Sequence, residues 1–261
     1  MSEELFRITE ADAGYRGNCF IRSLSLSVKK GDFISLVGPN GAGKSTIIKL
    51  LSGLLSPFSG KVEFTGTDIR DIGNRELAKS FSVVGQISGE IPDFSVKNFI
   101  SLGRFPFFDI LEGNTADNSY IEMASRTGVT RLLDRSIREL SAGEFQLVQV
   151  TRALVQNNKI LLLDEPVSNL DYQHIVRIMD ILKNLHNEGT TIICALHDVN
   201  AAMDYCSRVV AIKDGGVFFD GVPDKVINQN SMKSLYETEF YCGINPVTGR
   251  PLVLPVPGGF S

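Results

Sequence analysis

The chain has little cysteine, no excess of positive charge and no long apolar run, and each shortage closes off a class of function. Its four cysteines, Cys19, Cys194, Cys206 and Cys242, are scattered and form no C-x-x-C pair. Such spacing offers neither a zinc site nor a redox dithiol, so they are expected to be reduced, packed thiols. Lys and Arg number 26 against 30 Asp and Glu, a formal net charge of -4. No global basic field exists to hold a nucleic-acid backbone, and no nucleic-acid partner is expected. Nothing approaches the ~20 apolar residues of a membrane-spanning helix. The first residues, Met1-Ser2-Glu3-Glu4, are acidic where a secretory leader is basic. The expectation is a cytoplasmic protein, or one attached to a membrane through a partner.

What is present is ordinary for a soluble globular chain: 261 residues, 43% hydrophobic and 21% charged, enough for one large domain with a substantial core. Residues 5–37 read as strands broken by turns, with partial alternation from Ile21 to Val28, a turn at Lys29-Lys30-Gly31-Asp32 and an apolar run from Phe33 to Val37. Ile47, Ile48, Leu50, Leu51 and Leu54 then recur at helical spacing. Ser59–Gly66 and Asp214–Gly221 each read as antiparallel strands ending in a glycine turn. Residues 90–157 are mostly helical in pattern, with Asn114–Asn118 as a surface loop. Ile160–Leu163 is a short apolar run of the kind that forms a buried parallel strand. A helical pattern follows over Ile175–Leu185, then a β-branched strand over Thr190–Leu196. Alternating strands and helices predict an α/β core with a parallel sheet. Residues 241–261 are rich in Pro and Gly. That tail cannot continue a helix or a central strand and is expected to wrap the surface or be partly mobile.

The strongest local signal is Gly38-Pro39-Asn40-Gly41-Ala42-Gly43-Lys44-Ser45-Thr46, which matches G-x-x-x-x-G-K-[ST]. Glycines let backbone N–H groups turn inward around phosphate oxygens. Lys44 brings a point charge to the outer phosphates, and the Ser45 hydroxyl is suited to Mg²⁺. A helix starting near Lys44 aims its positive end at the same anion. The motif lies between an apolar strand and an amphipathic helix, as this chemistry requires, so the loop is read as a site for a magnesium-complexed nucleoside triphosphate. Asp164 ends a buried strand, where a carboxylate faces the ligand crevice of an α/β sheet and stands near the metal. Glu165 follows. By itself it is equally well a base that polarises water or the first residue of a loop before Pro166.

Further motifs follow in order. Gln86, Leu140-Ser141-Ala142-Gly143-Glu144, Ser168-Asn169-Leu170-Asp171 and His197 fall where the ATP-binding subunits of ABC transporters carry their Q-loop, signature, D-loop and switch histidine. Tyr15 falls where an aromatic ring stacks on adenine. Each alone has a bland explanation: Tyr15 as packing, His197 as a structural histidine, Ser141 as a helix N-cap. Their order and spacing closely resemble that family over nearly the whole chain. The resemblance implies a P-loop NTPase core with a parallel sheet, an N-terminal antiparallel β-subdomain and a helical subdomain bearing the signature, all within a single domain over 1–261. The implied ligands are ATP and Mg²⁺. Residues 38–46 and Tyr15 would bind nucleotide, with Ser141, Ala142, Gly143 and Asp171 completing the site. Ser45, Gln86 and Asp164 would serve the metal, and Glu165, His197 and Gln86 the hydrolysis.

The resemblance also implies partners. A second copy would dimerise head to tail, so that Ser141 and Gly143 reach the γ-phosphate held by the other copy. Transmembrane permease subunits would receive the work, and an extracytoplasmic substrate-binding protein would act through them. Two departures stand out. Ala142 occupies a position where glycine is common, which is harmless if the backbone there is right-handed helical and costs about 1 kcal/mol if it needs positive φ. Glu144 replaces the common glutamine in the first turn of a helix, where a carboxylate suits the dipole. Leu102-Gly103-Arg104-Phe105-Pro106-Phe107 and Pro246-Val247-Thr248-Gly249-Arg250-Pro251 resemble the ATPases of iron-siderophore, haem and cobalamin importers. Phe107, however, stands where that group has histidine. The competing expectation is a soluble ABC ATPase acting as a scaffold in iron–sulfur cluster assembly, with no membrane partner.

Overall fold

The computed structural model describes residues 3–85, 93–108 and 119–260. The chain opens with two long antiparallel strands, β1 (Glu4–Tyr15) and β2 (Asn18–Lys29), and then β3 (Phe33–Val37), helix α1 (Lys44–Leu51), β4 (Ser59–Phe64) and the short β5 (Thr67–Asp68). Next come α2 (Asn74–Ser80), β6 (Ser82–Val84), α3 (Val96–Ser101), α4 (Ser119–Thr127) and α5 (Ala142–Val155). The second half runs β7 (Ile160–Asp164), α6 (Tyr172–Asn187), β8 (Thr191–Ala195), α7 (Val199–Tyr205), β9 (Arg208–Lys213) and β10 (Gly216–Gly221). It finishes with α8 (Pro223–Val226), α9 (Gln229–Tyr236), β11 (Thr238–Ile244) and β12 (Pro251–Phe260).

Among the described residues a six-stranded sheet has the order β10-β9-β3-β8-β7-β6, and a four-stranded antiparallel sheet has the order β2-β1-β4-β5. β3, β6, β7, β8 and β9 pair in parallel, and β10 returns antiparallel on the edge. Every residue of β3, β7 and β8 is buried, which is why these segments read as continuous apolar runs instead of alternating ones. Their side chains still alternate between two cores. Phe33, Leu161, Leu163, Ile192 and Cys194 point to the side packed by α5, α6 and α7. Ile34, Leu36, Ile160, Leu162 and Ile193 point to the side packed by α1 and the antiparallel sheet.

Side-chain caps set several helix starts: Ser95 for α3, Ser141 for α5, Asp171 for α6, Asp198 for α7 and Asn228 for α9 each accept a bond from a backbone N–H of their helix. The described part of 90–157 is helical, as the pattern predicts, but Leu102–Phe107 is a tight 3-10 turn carrying Pro106 inside it. The loop expected at Asn114–Asn118 lies outside the described residues. The tail carries regular structure that its sequence pattern did not predict: β12 pairs antiparallel with β11 as a two-stranded ribbon. Proline is tolerated there because such a ribbon consists only of edge strands.

Candidate functional site

β3, β7 and β8 lie side by side in the parallel sheet and end on the same side, and the residues that follow them form one cleft. After β3 the loop from Gly38 to Gly43 turns back and Gly43 caps α1 in the left-handed region. Gly38 has φ 144°, and a Cβ there would sit 2.1 Å from the Ile212 carbonyl oxygen of β9. Only glycine lets the loop leave the sheet this closely. Lys44, 5% exposed, bends over the loop and donates from Nζ to the carbonyls of Gly38 at 2.7 Å and Pro39 at 3.0 Å. Burial pushes the Lys44 ammonium below its usual range, and the carboxylates of Glu165 and Asp164 oppose that shift. A buried cation over a glycine-rich loop at a helix start is chemistry suited to phosphate.

β7 ends in Asp164, 7% exposed. Burial raises its pKa, the neighbouring Ser45 hydroxyl lowers it, and the Glu165 charge raises it again. Its Oδ1 is buried with no hydrogen-bond partner among the described residues. An orphaned, desolvated carboxylate oxygen beside a serine hydroxyl is the donor set a hard divalent cation wants, so the residues present fit Mg²⁺.

Glu165 adopts φ 53°, an uncommon conformation for a non-glycine residue and one that concentrates at functional sites. It turns its carboxylate away from the strand so that Oε1 lies 2.7 Å from His197 Nε2. His197 stands just beyond β8, so the two residues meet across the ends of adjacent strands. Together with Asn40, Gly41, Gly43, Lys44 and Ser45 they line one opening. A larger contiguous cleft of about 740 Å³ runs from Gly38 and Asn40 past His197 to Ser168 and Asn169. The glycine loop, the Lys44 ammonium, a carboxylate and an imidazole thus share one opening.

Other candidates lie apart. Tyr15 is partly exposed at the end of β1, with Lys49 Nζ of α1 5.1 Å from its ring centroid. Asp171 does not line the cleft; its Oδ1 accepts from His174 N at 2.9 Å and lies 2.8 Å from His174 Nδ1. Ser141, Ala142 and Gly143 also line neither opening. Ala142 opens α5 in helical conformation with its methyl exposed and is absent from the positive-φ residues, so the substitution is unstrained. Gln86 lies outside the described residues.

Ser141 and Glu144 form a capping box: Glu144 N donates to Ser141 Oγ at 3.2 Å, and Ser141 N donates to Glu144 Oε2 at 3.2 Å. The Ser141 backbone N–H holds the Glu144 carboxyl below its usual range, against partial desolvation. Sequence reasoning missed His174. Its ring fills the space beside Gly143, where a Cβ would come within 2.5 Å of the ring carbon Cγ. His174 therefore joins Asp171 to the start of α5. It also missed Tyr236 of α9, which lines the cleft with Gly38 and His197. Neither residue stands in a local motif that could have given it away.

Residues 21–168 match the family model described as ABC transporter. The ferric enterobactin transport ATP-binding protein of Escherichia coli K12 is 30% identical, the match covering 98% of this chain and 96% of that protein. The iron(3+)-hydroxamate import ATP-binding protein of Bacillus subtilis is 32% identical over 92% of this chain and 91% of its own length. A cobalamin import ATP-binding protein of Halobacterium salinarum is 31% identical over 96% of this chain, but the match spans only 63% of that longer relative. Among solved structures, a dimeric bacterial ABC transporter cassette superposes with TM-score 0.74 at 27% identity, covering 84% of this chain and 99% of that one. A chain described as of a metal-chelate type ABC transporter, in an inward-facing conformation, superposes with TM-score 0.83 over 97% of this chain and 98% of its own, at 20% identity.

Proposed function

We propose that this chain, which belongs to the ABC transporter family, is the ATP-hydrolysing subunit of a membrane importer. The observation that carries the proposal is the convergence of Lys44, Ser45, Glu165 and His197 on one opening, with the orphaned Asp164 oxygen beside Ser45. We take residues 1–261 as a single ABC ATPase domain with a helical subdomain over about 90–157 and a C-terminal tail over about 241–261.

Each residue has a distinct task. The loop N–H groups and Lys44 hold the outer phosphates. Ser45 and Asp164 hold Mg²⁺, with Gln86 as the further metal contact; when bound, the ion neutralises phosphate charge. Glu165 takes the proton of the attacking water as general base. His197, bonded to Glu165 in this structure, keeps the carboxylate turned toward the phosphate end of the cleft. Tyr15 supplies a face for the adenine ring, with Lys49 behind it.

Ser141 and Gly143 lie away from the loop of their own chain, which suits service to the nucleotide of a second copy in a head-to-tail dimer. Asp171 and His174 tie that signature segment to α6. Hydrolysis would then act as a switch between closed and open dimers by differential affinity.

Membrane attachment through a permease is supported by two exposed apolar side chains, Phe105 at 71% on the 3-10 turn and Leu54 at 72% on a groove whose buried floor includes Leu77 and Phe81. Exposed apolar side chains at a groove suit a partner helix. No helix among the described residues is long and apolar enough to cross a membrane. The named relatives serve ferric enterobactin, hydroxamate and cobalamin import, so an iron chelate or related metal complex is the proposed cargo class, delivered by an extracytoplasmic binding protein. None of these relatives is named for iron–sulfur assembly, and the soluble scaffold is accordingly not favoured. Purifying the tagged chain from membranes tests the proposal. A multi-span membrane protein should co-purify, and the complex should hydrolyse ATP only with Mg²⁺. Recovery with a soluble iron–sulfur scaffold would overturn it.

Glu144→Gln probes the signature. A carboxylate is stabilising at a helix N-terminus but repels an incoming phosphate. The amide keeps the capping box and drops the charge. The apparent KM for ATP should fall about two- to five-fold, the equivalent of a 0.3–1 kcal/mol charge–dipole effect. The sign of the pH dependence follows from the lowered Glu144 pKa. Its stabilisation is present above the unfolded carboxyl value and is lost only as pH falls through the folded value. The KM difference should therefore stay constant from pH 6 to 8, which steady-state ATPase assays at several pH values will check.

A further inference from the structure

The C-terminal segment grips one helix of the site. α7 starts two residues after His197 and contains only seven residues. A helix that short has no stability of its own, and its placement comes from tertiary contacts. Asn200, three residues past His197, supplies the firmest of them. Its Nδ2 donates to the Val253 carbonyl at 3.0 Å and its Oδ1 accepts from the Val253 N–H at 2.9 Å. This two-way amide pair is what a neighbouring strand would offer β12, made here by a side chain. One turn on, the Thr248 hydroxyl donates to Asp204 Oδ1 at 2.7 Å. Arg250 Nη1 donates to the Met203 carbonyl at 3.0 Å, putting a cation at the negative end of the helix. Val253 is 3% exposed, and Val199, Ala201, Ala202 and Met203 bury the inner face of α7.

A second contact comes from just before the ribbon. Tyr236, the last residue of α9, closes the cleft between Gly38 and His197. Its oxygen is buried beside the Gly38 backbone. Burial pushes its phenol up to about 12, while the Gly38 backbone opposes that shift and the Asp198 charge adds to it. The ring thus stands between the first residue of the phosphate loop and the N-cap of α7.

We propose that residues 236–253 form a clamp on α7, with Asn200 as the positioning residue that sets His197 against Glu165 for hydrolysis. The clamp rests on the ATPase function proposed above and gives a task to the Pro246–Pro251 motif that no other part of the site explains. Nucleotide binding uses the loop at Gly38–Ser45, which α7 does not hold. The Asn200 contacts of the clamp should therefore govern turnover and leave affinity alone.

The test uses the full chain with ATP and Mg²⁺. Asn200→Ala should lower kcat about ten-fold or more, with the Kd for ATP within about three-fold and the melting temperature within a few degrees of wild type. Asn200→Asp, which keeps the acceptor for the Val253 N–H and loses the donor, should fall between. Thr248→Val, remote from the cleft, should lower kcat about two- to three-fold, and its effect should be less than additive with Asn200→Ala because both act through α7. Wild-type kcat in both Asn200→Ala and Thr248→Val overturns the clamp, as does a parallel loss of ATP binding, activity and melting temperature. A wild-type chain that hydrolyses nothing even when assembled with its membrane partner would refute the ATPase function instead. The clamp would then be judged by the His197 imidazole resonance, which Asn200→Ala must shift for the clamp to stand.

Discussion

Glu165→Gln should bind ATP within about three-fold of wild type and hydrolyse it some 10²- to 10³-fold more slowly, the span expected for loss of a general base. The amide is isosteric and can still bond His197 Nε2, so the 2.7 Å contact between the two side chains and the left-handed backbone of Glu165 have no reason to change. What disappears is the ability to accept a proton from water. Glutamine also removes a negative charge near the Lys44 ammonium, since Glu165 opposes the lowering of the Lys44 pKa. The loop should therefore hold phosphate at least as firmly as before. With hydrolysis blocked and binding intact, the ATP-bound dimer should accumulate in gel filtration, while wild type returns to the nucleotide-free form. Single-turnover hydrolysis beside size-exclusion chromatography gives the answer. Turnover within ten-fold of wild type would reassign the base to another group, and ATP-independent monomers would remove the head-to-tail switch.

The sequence announced the parts of this site that one short segment can encode. The glycine loop, Lys44, Ser45 and the apolar strand ending at Asp164 are each local, and their residue types follow from what phosphate and metal demand. The parallel order of β3, β8 and β7 was legible as a class because these strands are buried on both faces. The distant pairings were not. Glu165 and His197 are separated by a helix and a strand, and their contact depends on β7 lying beside β8 in register. His174 packs on Gly143 only because α5 and α6 share one core. In sequence His174 is one polar residue on a helix and carries no motif.

The tail shows the same limit from the other direction. Its prolines correctly exclude a helix and a central strand, yet they say nothing about which surface receives it. The answer lies in Asn200, 53 positions away from Val253, a residue indistinguishable in sequence from any exposed helical asparagine. Ala142 was ambiguous because its effect turns on a backbone angle. The structure starts α5 at that residue in ordinary helical conformation, and the question of strain closes.

Lys44→Ala should weaken ATP binding about 100-fold, or about 2.7 kcal/mol by the relation between Kd and free energy. The estimate is consistent with hydrogen bonds to a charged group at ~1.5–3 kcal/mol. Two effects oppose each other. The first is direct: the ammonium is the charge aimed at the outer phosphates, and alanine cannot replace it. The second runs through the metal. Burial raises the Asp164 pKa, and Lys44 is among the charges that counter the rise. That ammonium would also repel a second cation at the same carboxylate, so its removal favours Mg²⁺ there. The loss should therefore be smaller when ATP is titrated with Mg²⁺ than without it. Folding should change far less. The buried ammonium is itself expensive to desolvate, and its removal offsets much of the loss of its two bonds to the Gly38 and Pro39 carbonyls. Fluorescent-nucleotide titration with and without Mg²⁺, beside a thermal melt, separates the two effects. Affinity within three-fold of wild type would show that the phosphates are held elsewhere. An equal loss with and without Mg²⁺ would leave the direct contact and discard the link through Asp164.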